Sequence, residues 1–224
     1  MSPLKIILFV FAFILLIAFI LLIVIIQLNI ITVAFDKLGL SSHSAYLLIM
    51  ATLFGSVINL PLLSLKADDA LSQKNTLFNL PQRLFGKPIF KGVTEIKINV
   101  GGALLPLVFS GYLVVHHHIL WFQLLIAITL VSLVSYWISR PVPGMGIGMP
   151  ILIAPICAAI ISFILNPDDR ASLAYVSGTL GVLIGADILR LKDIRHLGAP
   201  VASIGGAGSF DGIFITGFVA VLLA

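Results

Sequence analysis

Charged residues are scarce in this sequence. Asp, Glu, Lys and Arg together make up 10% of the 224 positions, whereas soluble domains contain about 25%. Apolar residues make up 60% of the chain, and the mean hydropathy is +1.19. This composition excludes an ordinary soluble domain and predicts an all-α membrane protein with several transmembrane helices.

Cysteine is almost absent, and residues that bind metals are dispersed. Cys157 is the only cysteine, which excludes an internal disulfide, and its apolar surroundings indicate a small core residue rather than a reactive thiol. His116, His117 and His118 are consecutive, but no Cys, Asp or Glu lies near them in the sequence to complete a ligand set. We therefore interpret the histidines as a solvated turn and expect no metal site and no cofactor.

Long apolar runs make up most of the sequence. About 20 apolar residues cross a bilayer as a helix. Cutting the chain at its charges and turn signals predicts about seven transmembrane helices in a single transmembrane domain, 1–224. The predicted spans are residues 6–31, 45–65, 98–115, 119–138, 151–165, 171–189 and a last one that ends at 224. The first run is too long for a signal peptide, so we expect it to remain as an anchor.

One long polar stretch separates these runs, at residues 66–97. It mixes large apolar side chains with six of the thirteen basic residues. That mixture is typical of a segment lying on lipid headgroups. An ordinary solvated loop is the alternative interpretation.

The basic residues predict the orientation of the chain. Eleven of the thirteen Lys and Arg fall on the side of the membrane that holds the N-terminus, and only Lys37 and Arg170 fall on the other. The positive-inside rule then places the N-terminus in the cytoplasm and the C-terminus outside. Because these cations flank membrane spans, they indicate membrane lipid as a partner and not nucleic acid.

Two aspartates interrupt the apolar runs near the end of the chain. An Asp at the centre of a membrane helix costs roughly 2.5–3.5 kcal/mol on insertion scales, and such residues are functional by default. Sixteen residues lead from Ala171 to Asp187 and thirteen follow Asp211, which are about 24 Å and 20 Å of helix. Both carboxyl groups are therefore expected at a similar depth on the cytoplasmic side, facing each other. Alternatively, each is protonated or reaches the interface beside the cations of residues 190–195.

Glycine and proline mark two further segments. Gly178, Gly181 and Gly185 recur at three- and four-residue steps, so they share one helix face and allow another helix to approach closely. Residues 140–150, RPVPGMGIGMP, are too rich in Pro and Gly for a regular helix and too apolar for a typical solvated loop. We expect this segment to dip into the membrane, where a cavity satisfies its backbone.

Four motifs together resemble an uncharacterised prokaryotic membrane family. They are NVGGALLPL at 99–107, RPVPGMGI at 140–147, GTLGVLIGADIL at 178–189 and GAPVASIGGAGSFDGIFITG at 198–217. The resemblance covers most of the chain. It implies a multi-pass protein of the cytoplasmic (inner) membrane of a prokaryote.

A more distant resemblance is to the GxGD intramembrane aspartyl proteases, the presenilins and signal peptide peptidases. Those proteases carry one aspartate on their sixth span and another after Gly-x-Gly at the start of the seventh. Asp187 and Asp211 take these places here, with Gly206 and Gly208 as the Gly-x-Gly pair. The resemblance implies a presenilin-like core in which Asp187 and Asp211 form the catalytic pair.

These features predict an intramembrane aspartyl protease that hydrolyses transmembrane peptides. In this hypothesis Gly206 and Gly208 let the substrate backbone approach, and Pro141, Pro143 and Gly144 border the substrate cavity. The alternative is a proton- or cation-coupled transporter or channel that uses the same two aspartates, because helices interrupted by Gly and Pro near the membrane midplane are typical of transporters.

Overall fold

The computed structural model describes residues 30–66, 92–142, 146–196, 199–206 and 212–224. The chain divides into two units, Met1–Tyr46 and Leu47–Ala224. In the first unit the described residues form helix α1, Ile30–Asp36, and the start of helix α2, Ser42–Gly55. Most of the predicted first span and of the predicted polar stretch lies outside the described residues.

The second unit is mostly helical where it is described. Its further helices are α3 (Val100–His116), α4 (Trp121–Ile138), α5 (Ile153–Leu165), α6 (Arg170–Ile188) and α7 (Gly212–Leu223). They lie within a few residues of the helices predicted from the apolar runs. Two of them, α4 and α6, are long and apolar enough to cross a membrane. The others have 10–17 residues, fewer than the roughly 20 that a perpendicular span requires.

The all-α prediction is confirmed only in part: the described chain is mostly helical, but part of the second unit is a β-sheet. Strands β1 (Asn59–Lys66), β2 (Val93–Asn99) and β5 (Val201–Ile204) form a three-stranded sheet in the order β1-β2-β5. The pair β1-β2 is antiparallel and the pair β2-β5 is parallel.

The prediction of a second transmembrane span at residues 45–65 is wrong in its second half, which belongs to this sheet. Helix α2 ends at Gly55, and the chain then enters β1. Pro61 cannot donate the backbone hydrogen bond that a continuing helix needs, and it is tolerated in β1 because that strand is at the edge of the sheet. The register of β1 against β2 shifts just after this proline, between Pro61 and Leu63.

Strand β2 is the centre of the sheet. Its side chains alternate, with Thr94 and Ile96 fully buried and Val93 and Glu95 exposed, as expected for a strand with one face on the core. The Thr94 hydroxyl donates to the backbone oxygen of Ala199 at 2.8 Å. This bond attaches the chain entering β5 to the sheet.

The Pro- and Gly-rich segment of residues 140–150 is not helical, as predicted. It forms an antiparallel hairpin of strands β3, Arg140–Val142, and β4, Gly146–Gly148. Gly146 has φ +124°, a backbone conformation that side-chain-bearing residues rarely adopt. Pro143 and Gly144 lie outside the described residues.

Helix α6 is central in the second unit. It packs against α3, α4, α5 and α7, and 78% of Arg170–Ile188 is buried, compared with 28% of Trp121–Ile138 in α4. Small residues dominate the packing between α4, α5, α6 and α7, in a cluster of Val131, Ala158, Ala159, Ala174, Ala220 and Ala224. Helix backbones therefore lie close together around α6.

The predicted packing role of the three glycines of α6 is confirmed. A Cβ on Gly181 would lie 2.5 Å from Val131 Cγ1, and one on Gly185 would overlap the backbone oxygen of Ser132. A Cβ on Gly178 would lie 3.2 Å from Thr216 Cγ2 of α7. Gly185 is the most constrained of the three, because its neighbour is rigid helix backbone and not the end of a flexible side chain.

Replacing Gly185 with Ala should destabilise the protein. The added methyl group forces α4 and α6 apart, and overpacking of this kind typically costs about 1–3 kcal/mol. Gly111→Ala in α3 is the matched control, because its Cβ would meet nothing within 4 Å, and Gly→Ala at such a position stabilises by about 0.4–1 kcal/mol. Unfolding of both variants in detergent checks the difference. Equal effects of the two substitutions would show that close α4–α6 packing is not limiting.

Candidate functional site

Asp187 lies on the last turn of α6. This turn, Leu183–Ile188, is π-helical, and Asp187 is half-buried within it. Single π-helical turns inside α-helices are frequent at functional sites. Gly185, which holds α6 against α4, lies within this turn, so the position of Asp187 is fixed by helix packing.

A cavity of about 160 Å³ opens beside Asp187. Its walls come from the end of α6, from the β4 segment, from strand β5 and from Gly206 and Gly212. Among the described residues that line it, Asp187 is the one with an ionisable side chain. The rest of the described lining is apolar side chains, glycines and Ser203.

The cavity unites some of the predicted site residues. Asp187 and Gly206 both line it. Pro141 lies in β3, paired with Ile147 of β4, and it is Ile147 that lines the cavity. Gly208, Asp211, Pro143 and Gly144 lie outside the described residues, so the predicted pairing of the two aspartates stays a prediction.

Arg190 fixes the end of α6 against the end of α4. Its guanidinium donates to the backbone oxygens of Tyr136 at 2.7 Å and Ser139 at 2.8 Å, and it lies 4.3 Å from the centre of the Tyr136 ring. Its Nη1 also pairs with Asp193 at 2.9 Å. The last carbonyl groups of a helix have no partner within the helix, and Arg190 donates to that of Tyr136 and to that of Ser139, the residue that follows α4. Arg190 belongs to the cations of residues 190–195 that were expected near the membrane interface, but its capping role has no local signal in the sequence.

A network of hydrogen bonds around the buried amide of Asn99 lies near the cavity, and it was not predicted from the sequence. Asn99 is fully buried, and its Nδ2 donates to the Ser56 backbone oxygen at 2.6 Å and to Asn59 Oδ1 at 3.2 Å. Its Oδ1 accepts from the Gly102 backbone nitrogen at 2.7 Å. The amide thereby caps the π-helical start of α3. The motif NVGG in the sequence is the only local signal of this arrangement.

Ser203 extends that network to the cavity wall. Its hydroxyl lies 2.8 Å from Asn59 Oδ1 and 2.8 Å from the Gly206 backbone oxygen. Gly205 and Gly206 follow with φ +81° and +84°, and a Cβ on Gly205 would overlap Ala103. The turn that leaves β5 therefore needs glycine for its conformation and for its close contact with α3.

The interpretation of the three histidines as a solvated turn is wrong for His117. Its Nδ1 lies 3.0 Å from Asp169 Oδ2 and 3.0 Å from Ser172 Oγ, and each side chain of the His117–Asp169 pair is 19% exposed. Ser172 also donates to Asp169 Oδ1 at 2.7 Å. The partner is 52 residues away along the chain, which is why a local search of the sequence missed it.

This cluster does not have the geometry of a catalytic triad. In a Ser-His-Asp triad the carboxylate and the hydroxyl bind opposite nitrogens of the imidazole. Here Asp169 and Ser172 both contact Nδ1 of His117. Among the described residues no group of three His, Cys, Asp or Glu side chains is arranged to hold a metal ion. The cluster instead connects the α3–α4 loop to the start of α6.

Two further bonds connect the same loops. Asn166 Nδ2 donates to the His118 backbone oxygen at 3.2 Å, and Gln123 Nε2 donates to the Leu165 backbone oxygen at 2.6 Å. The start of α4 and the end of α5 are therefore adjacent, at one end of the helix bundle.

Asp169→Ala should destabilise the protein, because it removes the acceptor for both Ser172 and His117. Leaving partly buried polar groups unsatisfied costs about 1–3 kcal/mol. Asp168→Ala is the matched control, since Asp168 is exposed and surface substitutions usually stay within about 0.5 kcal/mol. Denaturant unfolding in detergent micelles measures both. If the two variants are equally stable, the cluster does not hold the loops together.

The comparisons with known proteins give a family. A family model described as "Protein of unknown function (DUF1614)" matches residues 53–223. No curated protein matches the chain, and no solved structure matches it. The matched region contains all four motifs quoted from the sequence and every described residue that lines the Asp187 cavity. Because the match covers most of the chain, this protein belongs to the DUF1614 family.

Proposed function

We propose that the protein is a multi-pass protein of the cytoplasmic membrane of a prokaryote, oriented with its basic loops in the cytoplasm. The distribution of side chains on α4 supports this proposal. Its exposed face carries Trp121 (73% exposed), Leu125 (63%) and Trp137 (87%), whereas Ser132 and Ser135 are buried. In water the hydrophobic effect favours the opposite arrangement. Hydrocarbon around α4 removes the cost of exposing the large apolar side chains.

The two tryptophans of α4 define the levels of the membrane surfaces in this proposal. Trp121 and Trp137 are 16 residues apart, which is about 24 Å along a helix. Tryptophan is enriched at both interfaces of a bilayer whose hydrocarbon core is about 30 Å thick. The Trp137 end continues into Arg140 and is bound by Arg190, in agreement with a cytoplasmic location for this end.

Within the membrane, we propose that the protein hydrolyses peptide bonds with Asp187 and Asp211 as an acid–base pair. The observation that carries the proposal is the cavity beside Asp187, whose lining includes Gly212, the residue bonded to Asp211. Two carboxyl groups in contact cannot both be ionised, so one acts as the acid while the other activates water.

The depth of Asp187 supports access of water to such a pair. Asp187 precedes Arg190 by three residues, about 5 Å along a helix, and Arg190 binds the backbone of Tyr136 next to Trp137. The carboxyl group is thus close to the proposed cytoplasmic interface. A hydrolase inside a membrane needs this position, because the hydrocarbon core contains no water.

The backbone around the cavity suits an extended substrate. Residues 201–204 of β5 line the cavity, and among the described strands β5 pairs only with β2. An extended peptide can add to such an edge through main-chain hydrogen bonds. Gly206 and Gly146, which also line the cavity, have no side chains to block the approach of a second backbone.

A proton- or cation-coupled transporter is the second candidate. The π-helical turn at Asp187 and the β3–β4 hairpin both place irregular backbone next to one acidic cavity, and transporters build their ion sites from interrupted helices. Reconstituted protein with a pH-sensitive dye inside the vesicles tests this candidate. Proton flux that Asp187→Asn abolishes, with no peptide cleavage in the same preparation, would favour transport.

The membrane position is tested with the tryptophans themselves, since the chain contains two and both are on α4. The variants Trp121→Phe and Trp137→Phe each leave one reporter. We expect each remaining Trp to be quenched more strongly by lipids spin-labelled near the headgroup than by lipids labelled deep in the acyl chain. Quenching by aqueous acrylamide alone would contradict the placement of α4 in a bilayer.

The protease proposal is tested by incubating reconstituted protein with labelled transmembrane peptides and identifying the products by mass spectrometry. Asp187→Asn and Asp211→Asn should each lower the cleavage rate by about 10³-fold or more, because residues that act as a unit each remove most of the catalysis. Asp168→Asn, at an exposed site outside the described cavity lining, should cleave like the wild type. Cleavage that survives both substitutions would falsify the assignment.

A further inference from the structure

An apolar groove runs along the outer surface of α5. It has a volume of about 320 Å³, and its lining consists of Ile156, Ala159, Ile160 and Phe163 of α5 and Leu223 of α7. The four residues of α5 recur at three- and four-residue steps and therefore share one helix face. Ala159 is 6% exposed, whereas Phe163 is 56% exposed. The small side chain of Ala159 forms the floor of the groove, and the larger side chains form its sides.

A cation lies at one end of this groove. The guanidinium carbon of Arg170 is 5.5 Å from the centre of the Phe163 ring. No carboxylate among the described residues forms an ion pair with Arg170. An arginine that is held on an aromatic ring keeps its donors available for an anion.

Arg170 is at the level of one proposed membrane surface. It follows Asp169, which is bonded to His117, and His117 precedes Trp121 by four residues. Gln123 of α4 also binds the backbone of Leu165, two residues beyond Phe163. Arg170 and Phe163 are therefore at the Trp121 end of the bundle, and Ile156 lies deeper.

We propose that this groove binds one phospholipid, with an acyl chain along α5 from Phe163 to Ile156 and the phosphate beside the Arg170 guanidinium. The seven residues between Phe163 and Ile156 span about 10 Å, about two thirds of the hydrocarbon depth of one leaflet, roughly 15 Å. The planar guanidinium matches phosphate oxygens through two parallel hydrogen bonds. The apolar part of the groove thus matches the acyl chain of a phospholipid, and the cation at its end matches the phosphate.

The volume of the groove favours a hydrocarbon chain over a whole helix as the occupant. An α-helix with its side chains is about 10–12 Å across, so a 10 Å length of it occupies on the order of 900 Å³. The groove offers about 320 Å³ above a single alanine, which fits one hydrocarbon chain. A transmembrane peptide that displaced the lipid would be an outcome against the proposal.

The site rests on the proposed membrane placement but not on the proposed hydrolysis. Its failure and the failure of the protease proposal are therefore separable: Asp187→Asn should abolish cleavage and leave lipid binding unchanged. The tryptophan quenching tests the membrane placement separately, because it would show directly whether a bilayer surrounds α4.

The test uses the purified full chain in detergent, incubated with phosphatidylglycerol, and native mass spectrometry to measure the bound lipid. Arg170→Gln removes the charged hydrogen bonds to the phosphate and should raise the apparent Kd about tenfold or more, since the loss of even one is worth about that factor. Ala159→Phe fills the floor of the groove and should also weaken binding, because it leaves no room for the acyl chain. Arg140→Gln, at the other end of the bundle, and Ile126→Phe, on the exposed face of α4, are the matched controls and should bind like the wild type.

Two ligand controls separate the parts of the lipid. Diacylglycerol, which lacks the phosphate, should bind the wild type as weakly as phosphatidylglycerol binds Arg170→Gln. Inorganic phosphate alone should neither bind nor compete. The proposal is overturned if Arg170→Gln retains wild-type affinity, if diacylglycerol binds as tightly as phosphatidylglycerol, or if a transmembrane peptide displaces the lipid. Arg170 is partly exposed and not part of the core, so the Arg170→Gln result can be interpreted even if Ala159→Phe fails to fold.

Discussion

Close contact between the backbones of α4 and α6 is the constraint on which the second unit depends. Gly181 and Gly185 bring α6 against Val131 and Ser132, with no room for a methyl group. In the proposed membrane placement the surroundings of the helices are also apolar, and helices in lipid associate through close packing and polar contacts. The packed faces are rich in Gly, Ala and Ser and the exposed faces in Trp, Leu and Phe, in agreement with that proposed placement.

The same contact positions the acidic cavity. Once α6 is held at Gly185, its final π-helical turn carries Asp187 toward β4 and β5. Backbone that leaves regular helix needs other partners where water is scarce. Asn99 supplies them at the start of α3, and Arg190 supplies them at the end of α4. The irregular segments around the cavity are therefore stabilised by side chains and do not require solvent.

The two ends of the bundle differ in chemistry. At the Asp187 end, Arg190 is fully engaged with α4 and Asp193, beside a small sheet and a hairpin. At the other end, His117, Asp169 and Ser172 hold two loops together, and Arg170 lies on Phe163 without an ion pair to any described carboxylate. Reaction chemistry is proposed for the first end and lipid binding for the second, and neither proposal depends on the other.

The sequence by itself determined the helices and much of their packing. Apolar runs of sufficient length predict α3 to α7 within a few residues, because helix formation and burial depend on local composition and periodicity. The spacing of Gly178, Gly181 and Gly185 predicts the packed face of α6 for the same reason. Asp187 is noticeable in the sequence because a charge within an apolar run is costly.

Only the tertiary structure decided which distant segments meet. Strands β2 and β5 pair in parallel across about a hundred residues, so no local pattern revealed a sheet in a chain whose composition favours helices. His117 contacts Asp169, which is 52 residues away along the chain. Arg170 lies on the Phe163 ring because the α5–α6 turn brings the two side chains together. Such contacts depend on the packing of whole helices, which is a property of the folded chain and not of any segment within it.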